Sequence, residues 1–200
     1  MNTVKIVIGA LIAAAVLGGI YAFSRTTPEA PIVESELRYE NQTYGYSFTY
    51  PEGLTTNEYT PENISVGTRE GESFTSVVDV SFQESFGEYE SFEAFAIERA
   101  KTLCAADGPD QTLNCTDVVD QTAFTTVSGD TGLELYLTLA ETTFSTGETD
   151  TYAFGPVYAF PYEKDGSETA VLLIYQPLPT YMETSRADAV SEVASTLSID

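Results

Sequence analysis

A chain of 200 residues, 42% hydrophobic and 12% aromatic, has enough apolar material for one core of roughly 160 residues plus an appendage, and is no disordered acidic tail. Its 31 acidic against 8 basic residues give a net charge of −23, which repels a phosphate backbone and argues against nucleic acid as a partner. Histidine is absent, which removes Ser-His-Asp and Cys-His nucleophiles and the ordinary His-bearing zinc site.

The first five residues carry Lys5, and from Ile6 to Phe23 the chain runs IVIGALIAAAVLGGIYAF without a charge. At about 1.5 Å per residue this run makes a helix of about 27 Å, close to the hydrocarbon thickness of a bilayer. A cleaved signal peptide is the rival reading, but its apolar region is expected to be shorter, and no small-x-small pair lies at a natural distance from the end of this one. Residues 6–23 are therefore read as an uncleaved transmembrane anchor. Lys5 precedes it, and Arg25 is followed at once by Glu29, Glu34 and Glu36, so residues 1–5 are expected in the cytoplasm and the bulk of the chain outside. Residues 24–36, SRTTPEAPIVESE, hold two prolines and no apolar period, and read as a linker.

The folded part is expected over residues 37–200. In YGYSFTYP, Tyr46, Phe48 and Tyr50 alternate with Ser47 and Thr49, the period of a strand with one buried face. One or two short strands are expected over 54–70. Val78, Val80 and Phe82 then alternate with Asp79, Ser81 and Gln83. Ser91 reads as an N-cap for a helix of about 13 residues, FEAFAIERAKTLC, whose Phe92, Phe95, Ala96, Ala100 and Leu103 share one stripe.

From Thr116 onward, strands are separated by the turn signals SGDTG, STGETD and EKDGSE, which predicts three consecutive hairpins. The last of them, AVLLIY, is apolar on both faces and reads as a central strand. Gly155-Pro156 marks a bulge or an edge position in TYAFGPVYAF. A closing helix is expected to start at Ser185, with Asp188 three residues on, and to bury Val190, Val193, Ala194 and Leu197. The fold class is thus α+β, an antiparallel sheet of about six or seven strands with helices laid on it.

Cys104 and Cys115 are the only cysteines, and in an oxidising compartment they are expected to form a structural disulfide between the helix end and the next strand. A redox-active pair lacks Cys-x-x-Cys spacing and a histidine to lower a thiol pKa. Three glycosylation sequons begin at Asn41, Asn63 and Asn114.

The opening YENQTYGYSFTYPEGL is similar to the Tyr-x-Asn-x-x-Tyr-Gly-Phe-Ser-Phe-x-Tyr-Pro start of the PsbP-like family, the extrinsic photosystem proteins and their bacterial relatives. The hairpin around Ser128–Glu134, the strand AVLLIYQ and the final helix running into ASTLSI resemble that family's close. The resemblance implies an α/β/α sandwich around an antiparallel sheet, used for protein association and not chiefly for catalysis.

For function, these residues and the resemblance lead to a noncatalytic, membrane-anchored, extracytoplasmic binding or accessory module whose partner is another membrane or cell-surface protein. No catalytic, cofactor-binding or metal-ligating residue is singled out. A calcium-dependent binding or adhesion domain is the first alternative, supported by the acidic surface, although DGPDQTLN and EKDGSE are too short and too sparse in alternating acids for an EF-hand loop. A hydrolase running on paired carboxylates is the second.

Overall fold

The computed structural model describes residues 37–84, 89–164, 167–178 and 186–200. The expected anchor (6–23), linker (24–36) and helix start at Ser185 lie outside them. Among the described residues, no helix is long and apolar enough to cross a membrane.

Most of the described chain has the two-residue period of strands and folds accordingly. In chain order the elements are β1 (Leu37–Asn41), β2 (Tyr46–Tyr50), β3 (Thr55–Thr60), β4 (Asn63–Glu70), β5 (Ser73–Glu84), α1 (Phe92–Thr102), β6 (Ala106–Asp107), β7 (Gln111–Thr125), β8 (Thr131–Thr143), β9 (Thr149–Lys164), β10 (Ser167–Tyr175), α2 (Ala187–Ser195) and β11 (Ser198–Ile199). They fall into an eight-stranded sheet of order β3-β4-β5-β10-β9-β8-β7-β6 and a three-stranded sheet of order β1-β2-β11. The single sheet of six or seven strands expected from the sequence is thus two sheets, because the opening aromatic strand pairs with β1 and β11 and never joins the hairpins. Every described pairing is antiparallel.

β10 lies between β5 and β9, central as its composition predicts, and Val171, Leu172, Leu173 and Ile174 are all fully buried. Since strand side chains alternate between faces, these four residues seed two cores. Leu172 and Ile174 join Ile64, Val66, Val78, Val80, Phe82, Phe160 and the small sheet's Tyr46 and Phe48. α2 closes this core with Ala189, Val190, Val193 and Ala194. Val171 and Leu173 join Leu135, Leu137, Leu139, Phe154, Val157 and Ala159 on the other face, beneath Phe95, Ala96 and Ala100 of α1.

Local signals explain most boundaries. Ser91 caps α1, its Oγ accepting from the Ala94 amide at 3.2 Å. α2 starts after Arg186, which makes no side-chain capping bond, and Asp188 lies in its first turn, 3.7 Å from Arg186 Nε. Gly155-Pro156 lies in β9, an interior strand, so the edge reading falls. The register between β8 and β9 shifts between Leu135 and Leu137, opposite this dipeptide, as a bulge does. Gly132 is required where β8 passes β9, because a Cβ there would strike the Ala159 carbonyl oxygen and the Phe160 ring.

Cys104 and Cys115 lie at disulfide distance, their Cα atoms 5.3 Å apart, and join the end of α1 to β7. Removing the bridge with Cys104→Ala/Cys115→Ala is expected to lower unfolding free energy by about 3 kcal/mol, chiefly by freeing the unfolded chain, as read by urea denaturation. Truncating the shared core strand with Leu172→Ala is expected to cost about 2–5 kcal/mol by the same measurement.

Candidate functional site

Helices cover the large sheet unevenly. α1 packs on β7, β8, β9 and β10, so the same face of β3, β4 and β5 is left to polar side chains. Asp79 sits at its centre, opposite Tyr175 of β10 and Ser65 of β4. Ser65 Oγ and Ser76 Oγ both donate to Asp79 Oδ1. The strip continues through Ser81 Oγ, which donates to Asn63 Oδ1 at 3.0 Å, and Gln83 Nε2, which donates to Ser81 Oγ at 2.6 Å.

Burial raises the Asp79 carboxyl above the usual carboxylate range, and the two serine hydroxyls pull it partly back. Burial, and then the Asp79 charge, push the Tyr175 phenol up as well. Asp79 is visible in the sequence only as a polar member of a strand alternation. Its half-burial follows from the neighbouring strands, which no local pattern encodes.

A second group of residues lies at the end of the sheet formed by the β6–β7 and β8–β9 turns, which are joined by a bond from the Phe144 amide to the Asp110 carbonyl at 2.9 Å. Phe144 and Tyr152 are large exposed aromatics there. Asp107, Asp110, Glu148 and Asp150 are exposed around them, and Glu141 faces Asp150 directly across β8 and β9. Like charges placed opposite one another destabilise a strand pair, and the chain has no Lys or Arg between Lys101 and Lys164 to relieve them. The Tyr152 phenol is raised by desolvation and then by Asp150 and Glu141.

A third feature is a cleft of about 250 Å³ on the outer face of the small sheet, lined by Arg38, Ser47, Phe48, Thr49, Val127, Ser128, Thr196 and Ser198. Among the described residues, no group of three or more Cys, Asp or Glu is placed to hold a metal ion.

The tyrosines divide between core and surface. Tyr46 and Tyr158 are buried in the core and Tyr44 packs against it, stacked on Phe82 with centroids 4.0 Å apart, while Tyr152 stays exposed. The Tyr158 phenol is pushed up to about 12, chiefly by burial, and donates to Glu134 Oε1 at 3.1 Å. The Asn41 sequon is occupied by structure. Asn41 is buried, its Nδ2 donates to the Pro61 carbonyl at 2.8 Å, and its Oδ1 accepts from the Thr43 and Tyr44 amides. Asn63 and Asn114 are exposed.

No protein-family model matches the chain, and no curated protein matches it. Among solved structures it is similar to the solution structure of cyanobacterial PsbP (CyanoP) from Synechocystis sp. PCC 6803, at 13% identity and a TM-score of 0.43, covering 82% of this chain and 91% of that one. A crystal structure from Bacteroides thetaiotaomicron VPI-5482 is similar at 14% identity and a TM-score of 0.33, covering 82% of this chain. The match spans about half of that protein, 48% of its length.

The Asp79 carboxyl gives a pH dependence with a definite sign. With its folded pKa above the unfolded one, the folded state binds the proton more tightly between the two values, so stability falls as pH rises through that window. Asp79→Asn keeps an acceptor for both serines and removes the charge. Its Tm is expected to equal or exceed that of the parent at pH 7, with the gap closing as pH falls toward the unfolded Asp value near 3.9. Thermal scans across pH check this.

Proposed function

We propose that the chain is a noncatalytic binding or accessory module, held at a membrane by residues 6–23 with its domain outside the cytoplasm. It presents the acidic, aromatic end of β6–β9 to a membrane or cell-surface protein with a basic surface. The observation that carries the reading is Glu141 set against Asp150 beside exposed Tyr152 and Phe144. An uncompensated like-charge pair costs stability in the free domain, and a cation from a partner would relieve it. Exposed aromatics beside it supply area that gains from burial. The bridged cysteines and the flanking charges of the anchor both favour an oxidising compartment outside the cytoplasm.

The hydrolase reading needs two acids flanking a cleft, whereas hydroxyls and Arg38 supply the polar lining of the cleft on the small sheet. Calcium adhesion needs several oxygen ligands converging on one point, and among the described residues no acids are grouped that way.

Chemical crosslinking in native membranes, comparing the parent with Glu141→Lys/Asp150→Lys, tests the surface. The expected result is a crosslinked partner whose yield falls at least tenfold in the variant and also falls in about 0.5 M salt, since charge steering is screened. A yield unchanged in both arms rules this surface out. For topology, an impermeant protease added to intact cells is expected to remove the domain, and its protection would reverse the orientation.

A further inference from the structure

The cleft on the small sheet carries an inference beyond protein association. Register places Arg38 opposite Thr49, and Ser47 opposite Ser198, so these side chains stand on the sheet face turned away from the core. The β7–β8 turn forms the opposite wall, fixed by a bond from the Val127 amide to the Ser195 carbonyl at 2.9 Å. Thr196 closes one end, its Oγ1 accepting from the Thr49 amide at 3.0 Å and lying 3.2 Å from the Thr49 carbonyl.

The chemistry of the lining is unlike the rest of the molecule. In a chain of 31 acids, no carboxylate among the described residues lines this cleft. Asp130, on the same turn, accepts from the Ile199 amide through Oδ2 at 3.2 Å, and Glu40, on the same face, is not among the lining residues. Arg38 Nη2 donates to Ser47 Oγ at 2.7 Å, and among the described residues Arg38, like Arg69 and Arg99, makes no ion pair, whereas Lys101 and Arg186 are paired with Glu98 and Asp188. A guanidinium has five N–H donors, so most remain for a ligand, beside the hydroxyls of Ser47, Ser128 and Ser198.

We infer that this cleft binds the carboxylate of a small organic acid, with Arg38 as the charge partner and the serine hydroxyls as further donors. The shape of the guanidinium suits a planar two-oxygen acceptor. The space, about 250 Å³, exceeds what a bare inorganic anion fills when a liquid water occupies about 30 Å³. Val127, 82% exposed on the rim, offers an apolar contact for a short hydrocarbon part. The net charge of −23 disfavours multiply charged anions more than singly charged ones.

Ligand-observed saturation-transfer NMR on the full chain in neutral detergent tests this, with butyrate as the probe, butyramide as its uncharged isostere, and inorganic phosphate as a competitor. Saturable transfer to butyrate and none to butyramide is expected. Arg38→Gln should raise the butyrate Kd at least tenfold and Arg38→Lys less, with Tm unchanged in both. Ser198→Ala should weaken binding by a smaller factor. Absence of transfer to butyrate, equal transfer to butyramide, or an unchanged Kd in Arg38→Gln overturns the proposal. Displacement of butyrate by phosphate at equal concentration overturns the carboxylate assignment and leaves an unselective anion site.

Discussion

The burial of β10 on both faces is the constraint on which the rest of the structure depends. Four consecutive residues, Val171 to Ile174, are fully enclosed, so each face of the large sheet must be covered. A strand that is apolar on both sides does not choose its own register, because a slip of one residue exchanges one apolar set for another. Its neighbours make the choice. β5 has apolar Val78, Val80 and Phe82 on one face and Asp79, Ser81 and Gln83 on the other, and β8 has Leu135, Leu137 and Leu139 on the face that α1 covers. Setting Leu172 opposite Phe82 and Leu173 opposite Ser81 satisfies both.

Coverage then follows from size. Eight strands at about 4.8 Å spacing span about 34 Å, whereas α1, with 11 residues, is about 16 Å long at 1.5 Å per residue. One helix therefore serves about half a face. α1 lies over the β7–β10 half of one face, and α2 with the small sheet lies over the β4–β9 region of the other. Each face keeps an uncovered region, and there the outward set is polar: Ser65, Asp79, Ser81 and Gln83 in one, and Glu134, Tyr136 and Thr138 in the other. The polar strip around Asp79 is thus a consequence of how far a short helix reaches.

Much of this was legible in the sequence wherever a single element carries its own pattern. The alternation in β8, the double-sided apolar run of β10 and the Ser91 cap each follow from local spacing, and the three hairpins follow from their turn residues. What is settled by packing between distant segments was not legible. The aromatic alternation of β2 announces a buried face but not that its partners are β1 and a two-residue β11. Gly155-Pro156 announces an irregularity but not that β9 is interior. Asn41 reads as a sequon, yet its side chain closes the turn between β1 and β2. Arg38 stands out in no motif, and it gains meaning only beside Ser198, on the far end of the chain.

That long reach has a mechanical consequence for the cleft. Its walls come from β1, β2, the β7–β8 turn and the stretch after α2, and the bonds that join them beyond the strand pairing include the Thr49 amide to Thr196 Oγ1, the Val127 amide to the Ser195 carbonyl, and the Ile199 amide to Asp130. All three end within the last residues of the described chain, at or directly after the end of α2. α2 is held by Val190, Val193 and Ala194 in the core beneath it and not by a side-chain cap. The cleft can therefore exist only while α2 is docked, because undocking would release Thr196 and Ser198 together. A ligand that binds only the assembled cleft stabilises the docked state by mass action. The same apolar contacts that close the first core thus set whether the surface above it is formed.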